Sequence, residues 1–126
     1  MIVVDTSALM AILLAEPESD RCIARLEAET DVLISAATLA EALIVAGRRN
    51  VGPEMAALVD GLGFEVAPVS QAAAARVADA YARWGKGIHK ASLNFGDCFA
   101  YALAQETGAP VLFVGEDFAL TDVAVA

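Results

Sequence analysis

The sequence predicts an α/β domain: three layers, with a mainly parallel central sheet flanked by helices. Two observations carry this. Short apolar runs of strand length alternate with helical stretches along the whole chain, and strands separated by helices favour a parallel sheet covered on both faces. The chain also has 126 residues, 58% of them hydrophobic, with no repeat, low-complexity tract or linker. Residues 1–126 therefore read as a single domain with one proper core.

The elements follow in order. Ile2-Val3-Val4 is a short buried strand that ends at Asp5. Thr6 or Ser7 is suited to cap the helix that follows, and Glu16-Pro17-Glu18 breaks it. A second helix over 18–29 turns Cys22, Ile23 and Leu26 inward and its charges outward. Residues 32–35 (VLIS) form the next strand, and 36–49 a strongly apolar helix with Arg48 and Arg49 in its last turn. Pro53 opens a short helix to Leu62. Residues 64–67 alternate as a strand, and Ser70 caps an Ala-rich helix over 71–84. A loop from Gly85 leads to Asn94, which caps a helix over 95–107 closed by Gly108. Residues 111–115 (VLFVG) are a strand, and the tail TDVAVA supplies a last short one.

Composition narrows the function. No apolar run approaches the roughly 20 residues that span a bilayer. The N-terminus has no basic region ahead of its apolar stretch, so a signal peptide is not expected and the reading is cytoplasmic. Cys22 and Cys98 stand far apart without metal-ligand spacing, as two reduced, buried thiols; His89, the one histidine, builds no familiar zinc pattern with them. The net charge of −9 argues against nucleic-acid binding unless several of the acids converge on metal ions.

The placement of acids is the most informative feature. Asp5 is the only charged residue in 1–15, Glu41 the only one in 32–47, and Asp97 the only one in 91–105. Each lies in a segment apolar enough to be buried, and none has a basic residue at helical or strand spacing. A buried, unpaired carboxylate is costly; proteins pair it, protonate it or give it a metal. Asp5 ends the first strand, and Asp117 follows the strand 111–115. Ligand sites in open parallel sheets lie at such carboxyl ends. Clustered carboxylates repel, and a divalent cation removes the conflict; oxygen ligands select Mg²⁺ or Mn²⁺. The chemistry this suggests is hydrolysis of a phosphodiester. Each acid also has a plain structural role open to it: helix caps for Asp5 and Asp97, a turn for Asp117, an unseen basic partner for Glu41.

These residues resemble the PIN domain, specifically the VapC type of toxin–antitoxin ribonuclease, over nearly the whole chain. MIVVDTSALMAILLAEPE matches the family's opening, with Asp5 as its first acid; AATLAEALIV matches the second motif, with Glu41 as its acid. GKGIHKASLNFGDCFAYALA matches the third through Asp97, and LFVGEDFALTDV the closing one, where Asp117 fits the fourth acid and Glu116 and Asp122 lie close enough to share its role. The resemblance implies a PIN-like fold, Mg²⁺-dependent endoribonuclease activity on transfer or ribosomal RNA, a homodimer and a cognate VapB-type antitoxin. It assigns the metal mainly to Asp5 and Asp97, with Glu41 and Asp117 completing the site.

Other residues invite roles. A Thr6 or Ser7 hydroxyl is placed to orient water or phosphate, or simply to cap. His89 reads as a proton shuttle or phosphate contact, or as a loop residue. Lys86 and Lys90, in the loop before Asp97, are placed to steer RNA phosphates. Two other functions compete. A phosphotransfer or receiver domain also gathers aspartates at strand ends, but the first strand here carries one Asp, and no Lys follows position 90. A non-catalytic PIN-like binding module would have no need to keep all four acids.

Overall fold

The computed structural model describes all of residues 1–126. Four strands form one parallel sheet: β1 (Ile2–Val4), β2 (Val32–Ser35), β3 (Glu65–Ala67) and β4 (Val111–Leu112), in the order β3-β2-β1-β4. Six helices complete the three layers: α1 (Thr6–Leu13), α2 (Ser19–Ala28), α3 (Ala36–Arg48), α4 (Gly52–Leu62), α5 (Gln71–Trp84) and α6 (Phe95–Thr107). None is long and apolar enough to cross a membrane.

The period-2 alternation of the strands divides the core. Val3, Leu33, Val111 and Phe113 face α5 and α6, where Val77, Trp84, Leu103 and Cys98 cover them. Ile2, Val4, Ile34 and Leu112 face the other way, against Leu9, Cys22, Ala42 and Met55 from α1 to α4. Cys22 and Cys98 are free, buried thiols, as the sequence suggested. Burial, reinforced by the Asp97 charge, pushes Cys98 up to about 11.

Chain order explains where a site can form. From β1 the sheet grows through β2 to β3 on one side, then jumps back to add β4 on the other. The crevice between β1 and β4, where the strand order reverses, is the favoured ligand position of such sheets.

Three local expectations need correction. Helix α1 is capped by Asp5, not by Thr6 or Ser7: the Asp5 side chain accepts from the Ser7 amide, and Thr6 is already helical. β4 stops at Leu112 rather than reaching Gly115, because its neighbour β1 ends at Val4 and leaves Phe113 and Val114 no strand to pair with. The tail adds only a single bridge, Val125 to Val111, with Val111 donating to Ala124 and accepting from Ala126.

Candidate active site

Asp5 sits at the carboxyl end of β1 and is 3% exposed. Its Oδ2 accepts from the Ser7 amide at 3.1 Å and the Ser7 hydroxyl at 2.7 Å. Its Oδ1 is buried and has no hydrogen-bond partner. A buried acceptor on a potential anion, left with nothing to bind, is the arrangement a cation would satisfy. Burial pushes the Asp5 carboxyl up; the Ser7 donors pull against this, and the Glu41 charge adds to it.

Glu41 lies midway along α3, half-buried. The Thr6 hydroxyl donates to its Oε1 at 2.6 Å and thereby fixes the carboxylate towards α1. The other carboxylate oxygen lies over Gly96, in space that a Cβ at position 96 would occupy.

Asp97 is the third residue of α6. It closes a capping box: its amide donates to Asn94 Oδ1 at 2.8 Å, and its Oδ2 accepts from the Asn94 amide at 3.0 Å. Its pKa is raised from 3.8 to about 7. Burial is the first cause, and the charges of Asp5, Asp117 and Glu41 add to it against the opposing Asn94 hydrogen bond. All three other acids thus face Asp97 closely enough to repel it. Asp117 approaches from the exposed turn after β4.

The four acids therefore meet at one rim. They come from β1, α3, α6 and the β4 turn, at the crevice where the strand order reverses. As they stand, no three of them form a closed cage for an ion. Asp5, Glu41 and Asp97 each accept from a hydrogen-bond donor, on Ser7, Thr6 and Asn94 respectively. The atoms the four acids offer an ion are all carboxylate oxygens, the set that suits Mg²⁺ or Mn²⁺.

Comparison with known proteins gives this rim a family. Residues 2–124 match the PIN domain. Ribonuclease VapC30 of Mycobacterium tuberculosis is 44% identical over 127 aligned positions, covering 97% of this chain and 95% of its own length. The chain is a PIN domain of the VapC type. Two solved structures share its fold. Mycobacterium tuberculosis VapC20, described as a sarcin-ricin loop cleaving toxin, superposes with a TM-score of 0.80 at 17% identity, covering 100% of this chain and 98% of the other. A chain of a toxin–antitoxin complex from Klebsiella pneumoniae does so with 0.75 at 20%, covering 100% and 97%.

Within this PIN domain the structure separates the acids that belong to the rim from those that do not. Asp122 is engaged elsewhere: it accepts from the Tyr101 hydroxyl at 2.6 Å and pairs with Arg83 at 3.4 Å, so it does not share the position of Asp117. Glu116 is exposed on the turn, and Asp117 is the one whose charge reaches Asp97. His89 is a loop-building residue. Its Nδ1 accepts from the Ala91 amide at 2.9 Å, and its ring stands edge-on to Trp84. The positioning role of Thr6 was hidden in the sequence, because its partner lies 35 residues away.

Gly96 carries a prediction. A Cβ there would run into the Glu41 carboxylate. Gly96→Ala is expected to displace Glu41 from Thr6 and cost about 1–3 kcal/mol through overpacking. Chemical denaturation together with RNA cleavage checks this. A variant as stable and as active as the parent would show that Glu41 has free space to move into.

Proposed function

We propose that this VapC-type PIN domain is a ribonuclease toxin, an endoribonuclease that uses Mg²⁺ to hydrolyse phosphodiester bonds in structured RNA such as transfer or ribosomal RNA. The observation that carries the metal reading is the unpaired, buried Oδ1 of Asp5, set among three further carboxylates. The ribonuclease reading is supported by the names of the curated VapC relatives at this level of identity.

In this reading Asp5 and Asp97 hold the ion. Ser7 keeps Asp5 Oδ2 occupied, so that Oδ1 is the oxygen left to face the metal. Thr6 orients Glu41, and Glu41 with Asp117 aligns the attacking water and takes its proton. When bound, Mg²⁺ supplies neutralisation of the scissile phosphate and acidifies the attacking water. Mn²⁺ suits the same oxygen ligands.

RNA approach is assigned to the loop between α5 and α6, where Lys86 and Lys90 are exposed. Packing of His89 on Trp84 and backbone bonds from Lys86 to Leu93 and from Leu93 to Trp84 hold this loop against the end of α5. A cytoplasmic location, where such RNA is found, belongs to the same reading.

Two protein partners complete it. One is an antitoxin of the VapB type; the solved Klebsiella relative is from a toxin–antitoxin complex. The other is a second copy of the chain. Val69, Ala74, Ala78, Tyr81, Phe95 and Phe99 line an open, mostly apolar groove that reaches the start of α6, two residues from Asp97, and Phe95 is 69% exposed. An apolar patch of this kind marks an interaction surface.

The test is RNA cleavage by the purified chain. Cleavage is expected to stop with EDTA and return with excess Mg²⁺. Cleavage that EDTA leaves untouched would remove the metal from the mechanism.

A further inference from the structure

Arg21 is a residue that neither the acidic motifs nor the charge pattern singles out. It stands near the start of α2, on the exposed side of that helix. Its guanidinium nevertheless reaches the sheet: Nη2 donates to the Phe113 carbonyl at 3.0 Å, across 92 residues of sequence. The same peptide group turns its other end to the site, since the Val114 amide donates to Ser7 Oγ at 3.0 Å. Ser7 Oγ in turn donates to Asp5 Oδ2 at 2.7 Å. This peptide lies just beyond the end of β4, where β1 offers no ladder partner. Two side chains, Arg21 and Ser7, hold it in place of a strand.

We propose that Arg21 is a positioning residue for the metal-binding carboxylate. It acts through the Phe113–Val114 peptide and Ser7 to fix Asp5 with Oδ2 engaged and Oδ1 free. A cation on the carbonyl polarises the peptide and strengthens its N–H as a donor. A hydroxyl that accepts a strong bond is itself a better donor to the carboxylate. The direction of the chain settles the Ser7 hydroxyl rotor. With the Val114 N–H pointing at Oγ, the Ser7 proton is left to point at Asp5. Outer groups that orient metal ligands in this way commonly change affinity by about tenfold or more.

This inference rests on the metal reading above, and the sign of one effect separates it from two simpler roles. Arg21 is itself a cation, linked to the site through one peptide and one hydroxyl. If it acted only through space, its removal would tighten Mg²⁺ binding. If it merely tied α2 to the sheet, its removal would lower stability and leave Mg²⁺ affinity alone. The relay requires weaker binding.

The experiment compares Arg21→Met, Arg21→Lys, Ser7→Ala and the Arg21→Met/Ser7→Ala double variant in the whole chain. It uses calorimetric Mg²⁺ titration and NMR hydrogen exchange of the Val114 amide. Arg21→Met is expected to weaken Mg²⁺ about tenfold and speed exchange at Val114. Arg21→Lys, which keeps a charged donor, is expected to recover part of both. In the Ser7→Ala background Arg21→Met is expected to add nothing to the loss of Mg²⁺ affinity. Tighter or unchanged Mg²⁺ binding in Arg21→Met, or the same tenfold loss with and without Ser7, would overturn the relay. Should the parent chain bind no Mg²⁺, the metal reading fails on its own. Val114 exchange then still decides: faster exchange in Arg21→Met at unchanged melting temperature supports the relay, and unchanged exchange, or faster exchange that only follows a loss of stability, refutes it.

Discussion

RNA cleavage is expected to fall by about three orders of magnitude or more in Asp97→Asn and in Asp5→Asn, with the fold retained in both. The two residues have local duties that Asn can take over. The Asp97 side chain accepts the Asn94 amide within the capping box, and an Asn oxygen can do the same. The Asp5 side chain accepts from Ser7, again a task for one oxygen. What Asn cannot supply is the negative charge that holds the ion against the neighbouring carboxylates. A gel-based RNA cleavage assay, paired with circular dichroism, separates loss of chemistry from loss of fold. Full cleavage by folded Asp97→Asn would remove that residue from the site.

The second large effect is on stability against pH. Asp97 is raised from 3.8 to about 7 in the folded chain. Between those values the folded chain holds a proton that the unfolded chain has released. The contribution of this group is therefore complete below about pH 4 and is lost as pH rises through about 7. In metal-free solution the parent protein is expected to lose stability over this interval relative to Asp97→Asn, which lacks this titrating group while keeping Asp5. At pH 8 the Asn variant is expected to melt at the higher temperature. Saturating Mg²⁺ is expected to raise the melting temperature of the parent and not that of the variant, since binding to the folded state alone stabilises it. Thermal melts at several pH values, with EDTA and with Mg²⁺, read this directly. Parallel pH profiles for the two proteins would mean that burial and the neighbouring acids do not raise Asp97.

The same strain explains why the site could be read from the chain. Asp5, Glu41 and Asp97 were legible because each stands alone in an apolar segment, and an acid without a local partner must find one in space. Their reunion required only that β1, α3 and α6 end near one edge of a parallel sheet. Asp117 was harder, since a turn acid after a strand is ordinary; the fold, by placing β4 beside β1, gives it its neighbours. Asp122 looked equivalent on the chain. Its removal from the rim depends on Tyr101 and Arg83, which only the packing of α5 and α6 brings to it.

Contacts between distant segments were not legible. The Thr6 bond to Glu41 and the Arg21 bond to Phe113 join segments 35 and 92 residues apart. Neither leaves a periodic trace. Gly96 is an ordinary helix-start glycine on the chain; only the fold shows that the Glu41 carboxylate fills the space beside it. The strand at 111–115 was overextended for a related reason. Its apolar run continues, while the neighbour it would pair with has already turned into α1.

The central claim is that these carboxylates hold a divalent cation. Calorimetric titration of Mg²⁺ into the purified, metal-free chain at pH 8, beside Asp97→Asn, tests it most directly. Saturable binding by the parent that is lost in the variant is the predicted result; equal binding by both, or none by the parent, would contradict it.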